Sequence, residues 1–221
     1  MHFTSTESTI QTEPQAVSGA SRPFGRQTSR WRVVDIVTAS VLGVAAGVIF
    51  WAWGLAWGPL SAALAFTPGL GGLLAGGWLF AGVLGGLVIR KPGAAIYTEL
   101  VAAAVSALIG TVWGFETLIW GLVQGAGAEL VLALFFYRSF RIWVALLAGA
   151  GAGVAVGLLD TTFTSYAALD AGAKMTYFLS AVVSGTILAG LLPWFAVRGL
   201  AATGALSRFA AGKQARTGRA N

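Results

Sequence analysis

Apolar residues in this chain come in uninterrupted blocks rather than on one face of each segment. Val33–Phe50 carries a single charge, Asp35, near its start, and Leu70–Ile89 carries none. Blocks of roughly 18 or more apolar residues match the hydrocarbon thickness of a bilayer. A soluble core helix would need a polar outer face that these blocks lack. The pattern predicts an all-α integral membrane protein with six transmembrane helices, at 33–56, 69–89, 94–113, 117–137, 141–160 and 174–198. Residues 1–30, rich in Thr, Ser, Gln and Pro, are expected to be a disordered tail, and 199–221 a second, basic one, leaving 31–198 as the membrane domain. The first apolar block starts too late and is too long for a secretory signal. Residues 57–68 (WGPLSAALAFTP) are bracketed by Pro59 and Pro68. Proline disfavours a continuous helix, so this stretch reads as a long outer loop, with a short seventh helix as the alternative.

Composition agrees: 57% of the 221 residues are hydrophobic and 10% charged, against about 25% charged in a soluble domain. The 31 glycines suit close helix contact in lipid. Charge then sets orientation. Basic residues fall in the N-terminal tail (Arg22, Arg26, Arg30, Arg32), at Arg90 and Lys91, at Arg138 and Arg141, and from Arg198 to the C-terminus; Lys174 alone lies on the other side. Positive loops stay cytoplasmic, so both termini are expected inside the plasma membrane and the number of spans is even.

Several classes are excluded. There is no cysteine, and the only histidine is His2, so thiolate metal sites, a histidine zinc cluster and a rhomboid-like protease all lack their residues. No GxxxxGK[ST] phosphate loop occurs. No cofactor or nucleic-acid partner is expected, and the two halves show no inverted repeat of the secondary-transporter kind.

Carboxylates in lipid cost several kcal/mol and face a cavity, a partner or a pathway. Asp35 follows Arg32 by three residues at a helix end, as in an interfacial ion pair. Glu116, Trp120 and Gln124 recur every four residues and share one helical face; Trp113 lies just before them. A carboxylate, an amide and indole rings converging on the outer side suit a pocket for a small cationic or amide-rich ring compound, since an indole face attracts a cation. The same tryptophans also suit an interfacial aromatic belt. Glu129 lies deeper on the fourth helix, off the Trp120 face, and either bonds a neighbouring helix or forms the pocket floor. Glu99 lies inside the third. Asp160, Tyr166 and Asp170 fall in the outer loop before the sixth helix, and Trp57 opens the loop at 57–68. Ala39, Gly43 and Gly47 form a small-xxx-small stripe that packs either on the chain's own helices or on a separate subunit.

The segments WRVVDIVTASVLGVAAGVIFWAW (31–53), 57–68, KPGAAIYTEL (91–100) and QGAGAELVLALFFYRSF (124–140) resemble the substrate-binding S subunits of energy-coupling-factor (ECF) vitamin importers, of the YkoE type linked to thiamine or its hydroxymethylpyrimidine precursor. The resemblance covers roughly residues 30–198. It implies capture of a vitamin from outside and delivery by toppling, driven by a transmembrane T subunit and two ATPases. It implies a pocket in which Glu116 holds the aminopyrimidine and Trp113 and Trp120 the rings, with Gln124, Glu129, Glu99, Trp57, Tyr166 and Asp160 as further candidate ligand residues. It implies a gate at 57–68 and docking of the T subunit at Ala39 and Gly43, extended to Gly47, with glycine where the family has alanine. Two other readings stay open: a self-contained channel or exporter with Glu99 and Glu129 as an ion path, and a structural scaffold without a small ligand.

Overall fold

The structure, a computed structural model, describes residues 30–207, 209, 211 and 212. The expected tail over 1–30 therefore lies outside the described residues except for Arg30. All regular elements among the described residues are helical: α1 (Val33–Leu64), a 3₁₀ segment (Leu70–Trp78) running into α2 (Phe80–Ile89), α3 (Ala94–Ile109), α4 (Thr117–Leu134), α5 (Ile142–Phe163), α6 (Ala171–Ser184) and α7 (Leu192–Ala202), with short 3₁₀ turns at Gly114–Glu116 and Ser165–Ala168. Five continuous apolar helical stretches are long enough to cross a membrane, and the sixth, α3, is shorter at 16 residues. With a rise of about 1.5 Å per residue, α3 reaches about 24 Å.

The packing reverses that of a soluble protein. Small residues fill the interior, including Ala39, Ala95, Ala102 and Ala148, while Val33, Val41, Leu108, Leu130 and Leu158 are exposed, as lipid permits. Glycine and alanine let backbones touch. A Cβ added to Gly43 would lie 2.7 Å from the Val101 Cβ, and one on Gly47 2.6 Å from the Val105 Cβ. The Ala39–Gly43–Gly47 stripe is therefore buried between α1 and α3. Of the two packings open to it, the structure has the one on the chain's own helices: the missing Cβ is what allows α3 to nest there, so the stripe is covered by the chain itself.

Several boundaries also differ from expectation. Residues 57–64 are not a loop; α1 continues through Pro59 to Leu64. The ring costs one backbone bond, but the sequence around it stays apolar and a membrane helix tolerates the interruption. The chain then turns at 65–69, where Gly69 has φ +93°. Asp160 is not in the outer loop but in the last turn of α5, and Trp113 lies outside α3, which Gly110 ends at φ +109°. The expected sixth helix is α6 and α7 joined by a π-helical stretch, Gly185–Leu191. Pro193 follows it, and its ring leaves the carbonyl of Ala189 without the usual partner, a local cause for widened turns. Past α7, Leu206, Phe209 and Ala211 are buried, so the C-terminal basic stretch begins with a packed segment.

The basic turns gather at one end. There Asp35 pairs with Arg32 (3.0 Å), as its spacing suggested, and also with Lys91 (2.6 Å). Trp31 Nε1 donates to the Pro92 carbonyl at 2.9 Å, tying the start of α1 to the α2–α3 turn. The turns at 65–69, 110–116 and 164–170 form the opposite end.

Candidate functional site

At the end opposite the basic turns, α1, the 3₁₀ segment, α4 and α5 enclose a cavity of about 330 Å³. Ligand sites commonly start near this size, at roughly 300 Å³. Four indoles line it, those of Trp57, Trp78, Trp113 and Trp120, with the Trp53 ring packed behind Trp78. Trp57 and Trp113 meet edge to face at 5.8 Å between centroids, Trp113 and Trp78 at 5.2 Å, and Trp78 and Trp53 at 6.3 Å. Edge-to-face stacking is a favoured aromatic geometry. Two of these rings are also pinned by hydrogen bonds: Trp53 Nε1 donates to the Leu74 carbonyl at 3.0 Å and Trp78 Nε1 to the Phe50 carbonyl at 3.1 Å. Gly77 makes room, because a Cβ there would collide with the Trp53 indole.

Trp120 closes another side, and Asp160 fixes it. The Asp160 carboxylate accepts from Trp120 Nε1 at 2.7 Å and from the Tyr177 hydroxyl at 2.6 Å. Tyr166 stacks on Tyr177 at 4.1 Å between centroids. Burial, and then the charge of Asp160, hold the Tyr166 phenol above its usual pKa, so it stays a neutral hydroxyl. Glu116 lines the cavity from the turn that opens α4, and is exposed.

Gln124 lines the cavity at a buried position on α4. Its Nε2 donates to Glu99 Oε1 at 2.7 Å and to the Trp78 carbonyl at 3.0 Å. Glu99 Oε2 accepts the backbone N–H of Gly82. Glu99 is thus fully buried behind Gln124 rather than on the cavity wall.

The structure therefore brings Trp57, Trp113, Glu116, Trp120, Gln124, Asp160 and Tyr166 around one cavity and leaves Glu99 and Glu129 off its wall. Of the two alternatives for Glu129, the geometry is that of a bond to a neighbouring helix and not of a pocket floor. Its carboxylate accepts from the backbone N–H groups of Gly93 (2.7 Å) and Ala95 (2.8 Å) and from the Tyr137 hydroxyl (2.7 Å). It caps the N-terminus of α3 at the basic end, where the first turn leaves N–H groups without helical partners and favours negative charge. Sequence reasoning missed Phe50, Trp78 and Thr117, which also line the cavity. The first two sit inside apolar blocks, indistinguishable from lipid-facing residues. Thr117 adjoins Glu116 at the start of α4, and its Oγ1 is, among the described residues, the enclosed side-chain polar atom without a partner.

No group of histidine, cysteine and carboxylate side chains among the described residues can hold a metal ion. The cavity offers carboxylate and amide acceptors within an aromatic box, which is equipment for binding a small ligand.

Comparison with known proteins agrees. Residues 34–155 match the family described as ABC-type cobalt transport system, permease component. The YkoE protein of Bacillus subtilis (strain 168), named as an HMP/thiamine permease, is 34% identical over 187 residues, covering 83% of this chain and 92% of that protein. A solved structure described as an S-component of an ECF transporter superposes with a TM-score of 0.80 at 34% identity, covering 86% of this chain and 95% of the other. These relatives are transport proteins, not enzymes, and the chain, a multi-pass protein of the plasma membrane, belongs to the YkoE-type S components of ECF transporters.

Proposed function

We propose that the chain captures thiamine or a related hydroxymethylpyrimidine from outside the cell and hands it across the membrane in concert with a transmembrane T subunit and two ATPase subunits. The observation that carries this reading is the indole-walled cavity with Glu116 at its edge, at the end of the bundle away from the basic turns. With basic loops inside, that cavity opens outward and both termini are cytoplasmic. The relative named as an HMP/thiamine permease supports the choice of ligand. In this reading Trp57, Trp113 and Trp120 sandwich the ring and hold any positive charge. Glu116 accepts from the ligand amine through a charge-assisted bond. Tyr166, Asp160 and Gln124 complete the wall.

The channel reading has less support. Glu99 and Glu129, its candidate ion path, are each occupied by neighbouring donors and line no common cavity. The scaffold reading leaves the cavity without a purpose.

The test is calorimetry in detergent with Glu116→Gln. The substitution should weaken thiamine binding by about tenfold or more, in line with the loss of a charged hydrogen bond of roughly 1.5–3 kcal/mol, with the thermal midpoint of the unliganded protein unchanged. Unaltered affinity removes Glu116 from the site. Native mass spectrometry of the purified protein should reveal a co-purified pyrimidine vitamin, and transport by the chain alone in liposomes would favour the channel.

A further inference from the structure

Behind the cavity wall, one side-chain orientation is dictated by its neighbours. Gln124 Nε2 faces two oxygens, Glu99 Oε1 at 2.7 Å and the Trp78 carbonyl at 3.0 Å. The Trp78 carbonyl can only accept, and it alone requires the NH₂ group on this side; Glu99, whose other oxygen takes the Gly82 N–H, presents Oε1 as the second acceptor. An amide group has two donor hydrogens on nitrogen and only acceptor capacity on oxygen. Both hydrogens of Gln124 are thus committed away from the cavity. Rotating the amide by half a turn would place its oxygen against two other oxygens. Among the described residues the Gln124 Oε1 has no hydrogen-bond partner, yet it is not one of their enclosed unpartnered atoms. It is therefore the part of this residue left for the cavity that Gln124 lines.

We propose that Glu99 is a specificity-determining positioning residue. By locking the Gln124 amide with its oxygen toward the cavity, it makes this wall an acceptor that selects a ligand bearing an N–H or O–H donor there. This deepens the vitamin-binding reading above and rests on it. A buried acceptor left facing another acceptor loses its bond with the solvent and gains nothing, which is why sites of this kind discriminate strongly between donor and acceptor isosteres.

Glu99→Gln provides the test. A glutamine at 99 has one acceptor oxygen for two donors, the Gly82 N–H and Gln124. When that oxygen stays with Gly82, the new amide nitrogen faces Gln124, so one of the two acceptors that fix the Gln124 amide becomes a donor and only the Trp78 carbonyl still opposes the reversed orientation, in which the Gln124 NH₂ turns toward the cavity. The probes are hydroxymethylpyrimidine and two analogues in which one donor becomes an acceptor: ring amine to oxo, and hydroxymethyl to formyl. Wild-type protein should bind at least one analogue roughly tenfold more weakly than the parent, and Glu99→Gln should shrink that same penalty to about threefold or less. Gln124→Met serves where Glu99→Gln does not fold. It should weaken the parent by about tenfold and bind the penalised analogue no worse than the parent.

Wild-type affinities equal across the three probes, a penalty that folded Glu99→Gln leaves unchanged, or, where that variant does not fold, a penalty that Gln124→Met leaves unchanged, overturn the proposal while leaving the vitamin reading intact. If wild type binds none of the probes and no thiamine, the vitamin reading fails and this inference falls with it.

Discussion

Among single residues, the carboxylates have separate duties that their positions alone do not reveal. Asp160 holds one ring of the cavity wall and one tyrosine behind it. Asp160→Ala strands two donors, and each buried unpaired group costs about 1–3 kcal/mol. Its thermal midpoint should fall and thiamine affinity should drop by about tenfold. Asp160→Asn can still accept from Trp120 while donating to the Tyr177 oxygen, so both properties should largely recover. Equal damage by both substitutions would mean that the charge itself matters, and not the two bonds. Glu129 does something different. It caps α3 at the end away from the cavity, so Glu129→Ala should cost about 1–2 kcal/mol of stability, the usual worth of a good cap, with ligand affinity unchanged. A loss of affinity without a loss of stability would return Glu129 to the binding site. Calorimetry and thermal unfolding on the same samples separate these outcomes.

Helices in this protein are held together by what their sequences omit. Gly43 and Gly47 let α3 lie against α1 with Val101 and Val105 in the vacated space. Gly47→Leu inserts a branched side chain where even a Cβ is too close. Overpacking of this kind costs about 1–3 kcal/mol, and more where backbone must move, so the variant should unfold at a lower temperature or run as an aggregate on size exclusion. A variant as stable as wild type would show that the α1–α3 seam is loose and would reopen the stripe as an external contact. The apolar blocks announce that these helices exist. They do not announce where α1 ends, because Pro59 is a strong signal in a soluble helix and a weak one in an apolar stretch that lipid and neighbouring helices support.

At the scale of the whole molecule, two ends with different chemistry define the direction of the proposed transport. Ion pairs and basic turns occupy one, as at Asp35, Arg32 and Lys91, and the aromatic cavity the other. The chain has no native cysteine, which makes single-cysteine labelling clean. Ser165→Cys should react with a membrane-impermeant maleimide added to intact cells, whereas Arg138→Cys should react only after the membrane is opened. The reverse pattern would place the basic turns outside and reverse the proposed direction.

Long charge-free blocks made the membrane class and most of the helix positions legible from the sequence, because lipid demands apolar length whatever the helices later pack against. The four-residue spacing of Glu116, Trp120 and Gln124 likewise placed a carboxylate, an indole and an amide near one another through helical geometry alone. Tertiary structure decided the rest. It chose which glycine stripe is internal, it put Asp160 behind Trp120, and it sent Glu129 to cap α3 while Glu99 went behind Gln124. Each of those outcomes depends on a partner tens of residues away in the chain, and a polar group buried in lipid is defined by the partner it finds.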